Sequence, residues 1–440
     1  MDEALGDFAA ADVLIEDDEI VEVGVDLDAG DAEVVDARGR IVIPGFVDTH
    51  RHTWETAIRG CAPNATLDDY FVEVLDSFAP VYRAEDVYAS NLAGALECLN
   101  AGITTLVDWS HINNTPDHPD AAVAGLKESG IRAQYAYGSA NTSLAEYWFE
   151  SKIAIPGDDV RRIRETYFSS DDGLLTMALA TRGTGFCIDD VVIEEWKLAR
   201  ELGLPITVHV GMGRLAGRFS MVKNLDRLGL LGPDITYVHA CYLDDDEWRM
   251  VKDSGGTISI AAQVEQQMGH GYPPTGRALA EGLRPSLSID VVTTVPGDMF
   301  TQMRAAFGGE RAAVNSDCWQ ADQDIPDTML TARQLLQMAT IDGAVVAGVG
   351  DRTGSLTPGK QADIVLIDGT APNTAPLLDP VAAVTLCADV SNVESVLVAG
   401  QFKKRDGRLV EDFGRARDLV QASTQRLVGQ VEHQPGWLLA

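Results

Sequence analysis

The stretch Ile41-Val42-Ile43-Pro44-Gly45-Phe46-Val47-Asp48-Thr49-His50-Arg51-His52 constrains this 440-residue chain more than any other. An apolar strand runs there straight into two histidines one residue apart. Side chains alternate faces along a strand, so imidazoles at i and i+2 point the same way and can grip one metal ion from the strand's end. Pro44-Gly45 marks a turn, so the apolar run enters a new layer at that point. A His-x-His pair also fits a satisfied polar pair, and the rest of the chain has to decide.

Before Pro44 the chain is made of short alternating runs broken by Asp, Glu and Gly, the pattern of small antiparallel strands. After it, apolar strands alternate with amphipathic stretches. Strands are expected at Thr104–Asp108, Arg132–Ala136, Leu175–Leu179, Pro205–His209, Thr236–His239, Thr257–Ile260 and Pro285–Asp290, making eight with the one that ends at His52. Helices are expected between them at Glu85–Ala101, Ala121–Ser129, Asp189–Leu202, Asp244–Ser254 and Gly297–Phe307, several opened by an Asp that can cap. Eight β/α units in roughly 250 to 300 residues predict a (β/α)₈ TIM barrel. From Thr353 the short strands return, so one small β-sandwich domain built from both chain ends, with the barrel inserted, is the economical arrangement. The expected boundaries are 1–43 and 353–411 for the sandwich, 44–352 for the barrel and 412–440 for a terminal helix and tail.

Composition narrows the class. A formal net charge of -33 disfavours nucleic acid or an anionic membrane as partner. There is no long apolar run and the N-terminal residues lack a signal-peptide pattern, so the expectation is a cytoplasmic protein. Six cysteines without a Cys-x-x-Cys pair read as reduced thiols, not a disulfide framework or a structural zinc site.

Barrel chemistry sits at the carboxyl ends of the strands. His209 ends strand five, His239 ends strand six and Asp290 ends strand eight, each after an apolar run. Three imidazoles and a carboxylate suit one divalent ion, Zn²⁺ or Fe²⁺, with an open position for water. A bound ion lowers the pKa of water from 15.7 toward roughly 7, which supplies hydroxide at neutral pH. Asp290 would take the water's proton, and a histidine not needed as a ligand, in the simplest assignment His239, would polarise the electrophile or hold the hydroxide. This is the design of a hydrolase.

Four segments resemble the amidohydrolase superfamily: Val42 to His52, Arg59-Gly60, Gly102-Ile103-Thr104-Thr105-Leu106-Val107-Asp108, and Gly354-Ser355-Leu356-Thr357-Pro358-Gly359-Lys360-Gln361-Ala362-Asp363. Within it the chain is similar to the aminohydrolase branch of cytosine, guanine and adenosine-analogue deaminases and triazine hydrolases. The resemblance implies one metal held by His50, His52, His209 and Asp290, with His239 facing the substrate, and it suggests a homodimer. The two-metal branches need a bridging residue at the fourth strand's end, where this chain has Thr181-Arg182-Gly183, so one metal is expected.

One departure stands out. Deaminases of this branch carry His-x-x-Glu after strand five, whose glutamate shuttles protons, whereas here Met212 occupies that position in His209-Val210-Gly211-Met212. Glu265, Glu55 and His111 are the candidates to replace it. Glu265 has a solvated loop carboxylate as its alternative reading, and His270 is either a substrate contact or a surface loop residue. Trp54 and Trp109 are expected to stack on a flat heterocycle, ahead of Trp319. Cys241 and Cys318 fall near the mouth, and His118 and His433 read as solvent-facing. The expected activity is metal-dependent hydrolysis at an sp² carbon of a small nitrogen heterocycle, by deamination or related C–N cleavage. The alternatives are substituent displacement, cyclic amide opening, or a catalytically inactive binding paralogue.

Overall fold

The computed structural model describes residues 2, 4–327 and 329–431. Strands β1 (Asp12–Glu16) and β2 (Glu19–Gly24) pair as an antiparallel hairpin, and β3 (Arg40–Pro44) is followed after a single residue by β4 (Phe46–Arg51). That single residue, Gly45, is where the chain leaves one sheet for the next. A Cβ there would lie 1.9 Å from Thr104 Oγ1, so the crossing requires glycine.

From β4 the barrel strands follow in chain order: β5 (Ile103–Ser110), β6 (Arg132–Tyr137), β7 (Leu175–Thr181), β8 (Ile206–Val210), β9 (Ile235–His239), β10 (Thr257–Ile260) and β11 (Ser286–Leu287). Every neighbour in this eight-stranded sheet is consecutive in sequence and parallel, as right-handed βαβ units require. The sequence predicts a last strand running to Asp290, but regular pairing stops at Leu287 because Asp290 turns to φ 68. Asp290 closes the barrel instead. Its N–H donates to the His50 carbonyl and its own carbonyl accepts from His52 N–H, both at 2.9 Å.

The connecting helices match the expected periodicity. Asp244 caps Asp245–Ser254 by accepting from the N–H groups of Asp246 and Glu247, and Asp298 caps Met299–Ala321 through Thr301 N–H. The latter helix runs well past the expected Phe307, and Trp319 near its end is 87% exposed, so it takes no part in the barrel mouth.

After the barrel, β12 (Ile364–Asp368), β13 (Val393–Val398), β14 (Gln401–Arg405) and β15 (Arg408–Leu409) join β3 in a five-stranded antiparallel sheet ordered β15-β14-β13-β12-β3. The β1–β2 hairpin packs Ile20 against Ile364, Leu366 and Leu397 of this sheet, so both chain ends share one small apolar core. A buried ion pair links this unit to the barrel: Arg132 of β6 donates from Nε and Nη2 to the two oxygens of Asp363, at 2.8 and 2.9 Å. The terminal helix Phe413–Val428 lies against the helix Ala84–Asn100, tied by Arg426 to Asp86. His433 lies outside the described residues. Among those residues no helix is long and apolar enough to cross a membrane.

Candidate metal centre and active site

Four side chains separated by up to 240 positions meet at the carboxyl ends of the strands. One ligand-type atom each from His50, His52, His209 and Asp290 lies within 4.8 Å of the other three. His50 Nε2 and His52 Nε2 are each 3.2 Å from Asp290 Oδ1, and His209 Nε2 is 3.2 Å from His50 Nε2. Ligands about 2.1 Å from a common ion, spread tetrahedrally, are about 3.4 Å apart. The spacing therefore fits one ion, and the donor set is a site for a single divalent metal.

The surroundings prepare these groups for that role. His52 donates from Nδ1 to the Trp109 carbonyl at 3.0 Å, which fixes the tautomer and leaves Nε2 free for an ion. Burial pushes His50 down to about 4 and, with the neighbouring His50 and His239, carries His209 well below its ordinary range, so both stay neutral. Burial raises Asp290, but hydrogen bonds from His50 and His52 outweigh it and hold this carboxyl well below the usual range. The hydrogen bond with Asp290 outweighs burial at His52 and raises it above its ordinary value. Backbone strain marks the site too, with His239 at φ 74, Ala240 at φ 56 and Asp290 at φ 68.

His239 stands beside the donor set, its Nε2 3.7 Å from Asp290 Oδ2. Glu265 Oε1 sits 3.2 Å from His239 Nδ1 and also accepts from Ala261 N–H at 2.8 Å. Glu265 is thus neither a solvated loop carboxylate nor a wall of the substrate cavity. It lies fully buried on the short helix Ala262–Gln267, behind His239, where it orients the imidazole. Glu55 is likewise buried behind the site, accepting from Tyr70 Oη at 2.5 Å and Thr293 Oγ1 at 3.2 Å.

A cavity with about 430 Å³ of empty space opens over the donors. Its polar wall is His52, His111, His209, His239, His270 and Asp290; its apolar wall includes Phe71, Trp148, Phe186, Met212 and Met268. His111 and His270 therefore face the space a substrate would fill. Trp54 and Trp109 do not. Both are fully buried behind the histidines, Trp109 edge-on to His50, His52 and His209, and Trp54 edge-on to His111. The aromatic walls are instead Phe71, Trp148 and Phe186, which sequence reasoning missed because they come from connecting segments away from the strand ends.

Other expectations need correction. His118 is buried, not solvent-facing: its Nε2 donates to the Tyr82 carbonyl and its Nδ1 accepts from Thr115. Arg182, at the fourth barrel strand's end, points away from the donors to Glu195 and the Tyr147 carbonyl. Cys241 reaches the His239 carbonyl at 3.9 Å, and Cys318 lies on the long helix Met299–Ala321. All six cysteines are free.

Comparison with known proteins gives these features a context. The chain is 27% identical to the 5′-deoxyadenosine deaminase of Methanosarcina mazei, over 98% of this chain and 96% of the relative. Among solved structures it superposes with a TM-score of 0.85 on a variant of the Arthrobacter aurescens atrazine chlorohydrolase complexed with zinc and atraton, at 23% identity over 96% of this chain and 97% of the other. It superposes with a TM-score of 0.79 on a zinc-bound adenosine deaminase of Xanthomonas campestris, at 23% identity over 95% and 93% of the two chains. The amidohydrolase family model matches residues 41–403, from the strand before the first histidine pair to the sheet that closes the sandwich. With most of its length inside that match, the chain belongs to the amidohydrolase family, in its aminohydrolase branch, and is a metal-dependent C–N hydrolase.

Proposed function

We propose that the protein is a zinc-dependent deaminase of a compact, flat nitrogen heterocycle. The observation that carries this reading is the donor set of His50, His52, His209 and Asp290 at the floor of a cavity walled by aromatic and thioether side chains. The relative that deaminates 5′-deoxyadenosine supports the reaction, and the zinc-bound neighbours support the metal.

When bound, the ion supplies hydroxide at neutral pH by acidifying water. The chain's own groups do the rest. Asp290, ionised and facing the cavity, accepts the proton of the attacking water. His239, held by Glu265, directs Nε2 toward the reacting centre and stabilises the negative charge that develops on the atoms bonded to the carbon under attack. Phe71, Trp148 and Phe186 stack on and enclose the ring, which excludes bulk water.

Among the described residues lining the cavity, the sole carboxylate is Asp290, and none is Lys, Arg, Asn, Gln, Ser or Thr. Such a wall has few partners for the hydroxyls of a sugar. The best substrate is therefore a base or substituted ring with apolar substituents, ahead of a nucleoside. The test is a screen of the zinc-loaded enzyme against guanine, adenine, cytosine, 5′-deoxyadenosine and triazines that carry a free ring amino group. It follows ammonia release and ultraviolet absorbance together. The expected result is ammonia from a free base or triazine at a rate above that from 5′-deoxyadenosine. Loss of ring absorbance without ammonia would favour substituent displacement or ring opening, and stoichiometric zinc without any turnover would favour a binding protein.

A further inference from the structure

We propose that His270 carries the proton that the deamination delivers to the substrate's ring nitrogen, a task Met212 cannot perform. The inference rests on the deaminase reading above. In that reaction the water oxygen bonds to the ring carbon while one water proton goes to the adjacent ring nitrogen. The C–NH₂ bond then breaks, its electron pair leaves with nitrogen, and the remaining hydroxyl proton goes with it, giving ammonia and a ring carbonyl. Some side chain must present a proton to the ring nitrogen.

Most lining groups that could do so have other engagements. His52, His209 and Asp290 would each give a ligand atom to the ion. His239 Nδ1 is bound to Glu265, and the Tyr70 hydroxyl donates to Glu55. His111 directs Nδ1 toward the Trp109 carbonyl at 3.4 Å. His270 is only 2% exposed, and neither of its ring nitrogens has a hydrogen-bond partner. A buried imidazole with both nitrogens unpaired is costly unless a ligand completes it.

Its placement matches the task. The His270 ring is 4.7 Å from that of His239, and one of its nitrogens lies within 4.8 Å of a ligand atom of both His239 and Asp290. The segment that carries it is pinned beside the position of the missing acid, because Gly213 N–H donates to the His270 carbonyl at 2.9 Å, one residue after Met212. Gly213 has φ 47, and a Cβ there would lie 2.9 Å from the Gly269 carbonyl oxygen, so glycine permits this approach. A neutral imidazole holds one N–H and one acceptor nitrogen. His270 therefore takes the proton from Asp290 on one nitrogen through one bridging water, since their separation is longer than a direct hydrogen bond, and gives the proton of the other to the ring. Exchange with water after product release restores the starting tautomer.

The experiment compares zinc-loaded wild type, His270→Ala, His270→Gln and the double variant His270→Ala/Met212→Glu, with ammonia release from guanine, cytosine and 5′-deoxyadenosine as the probe reactions. The single variants are expected to lose at least about a hundredfold in kcat, with KM changed far less. Glutamine keeps a hydrogen bond but cannot relay a proton, so it should not rescue. Glutamate at position 212 should recover at least about tenfold, since it restores an acid beside the same space. Zinc content should stay at that of wild type in all variants. A His270→Ala enzyme within about threefold of wild type would overturn the proposal, as would full activity in His270→Gln. So would zinc content that falls in His270→Ala, because His270 would then be a ligand. If wild type releases no ammonia from these probes or from the adenine and aminotriazines of the wider screen, the deaminase reading is what fails. His270 is then judged by ¹⁵N spectra of its ring in the zinc-loaded protein with added purine: a shift of one ring nitrogen supports contact with the heterocycle, and unchanged nitrogens overturn it.

Discussion

Glu55 is one of the buried carboxyls, with Asp48 and Asp108, that set how the metal-free protein responds to pH. Burial raises its carboxyl from the ordinary 4.5 to about 7, against the opposing influence of His52 and Tyr70. Between those values the folded state binds more protons than the unfolded one, so this group's contribution is fully present below about pH 4.5 and is lost as pH rises through 7. The linkage amounts to about 3 kcal/mol. Glu55→Gln removes the ionisation and keeps a polar group. In urea unfolding of metal-free protein, the variant's stability relative to wild type should therefore rise between pH 5 and pH 8; a constant difference would contradict the assignment. At Asp290, Asn replacement should abolish turnover while circular dichroism stays native, and an active Asn variant would remove its role as base. The histidines and Asp290 were legible because each follows an apolar strand, and strand ends in a barrel converge. The partners that tune them were not. Glu265 reaches His239 from the next β/α unit, and Tyr70 reaches Glu55 from a separate segment, pairings set by tertiary packing and not by spacing.

Elements were read best where apolar runs are continuous. The central strands β5 to β10 appear within a few residues of expectation because both faces of a parallel barrel strand are covered. The eighth was overextended, since nothing in Ser288-Ile289-Asp290 signals the turn to φ 68 at the last residue. The motif around Asp363 was recognisable, yet its physical work is visible only in three dimensions. The carboxylate accepts from Arg132 across the barrel–sandwich junction and from Ala399 N–H at 2.7 Å. Removing one partner of such a buried pair strands the other charge, at about 3–5 kcal/mol. Asp363→Leu or Arg132→Met should each lower the urea midpoint accordingly, and Arg132→Met/Asp363→Leu should cost clearly less than their sum. Additive losses would show that the two side chains do not act as a pair.

At the scale of the molecule, one barrel brings together four donors from three strand ends, and the sandwich from both chain ends braces the first strand, whose end bears two of them. Of the carboxylates behind the net charge of -33, only Asp290 is among the described residues lining the cavity, so the total tells little about the substrate. The cavity's apolar wall tells more. Metal content after dialysis tests the whole arrangement most directly, measured by mass spectrometry on wild type and on His50→Ala and His209→Ala, with folding checked by circular dichroism. One zinc per wild-type chain and less than about 0.1 in either folded variant is the predicted result. A full equivalent retained by both variants would mean that the ion sits elsewhere, and would contradict the account.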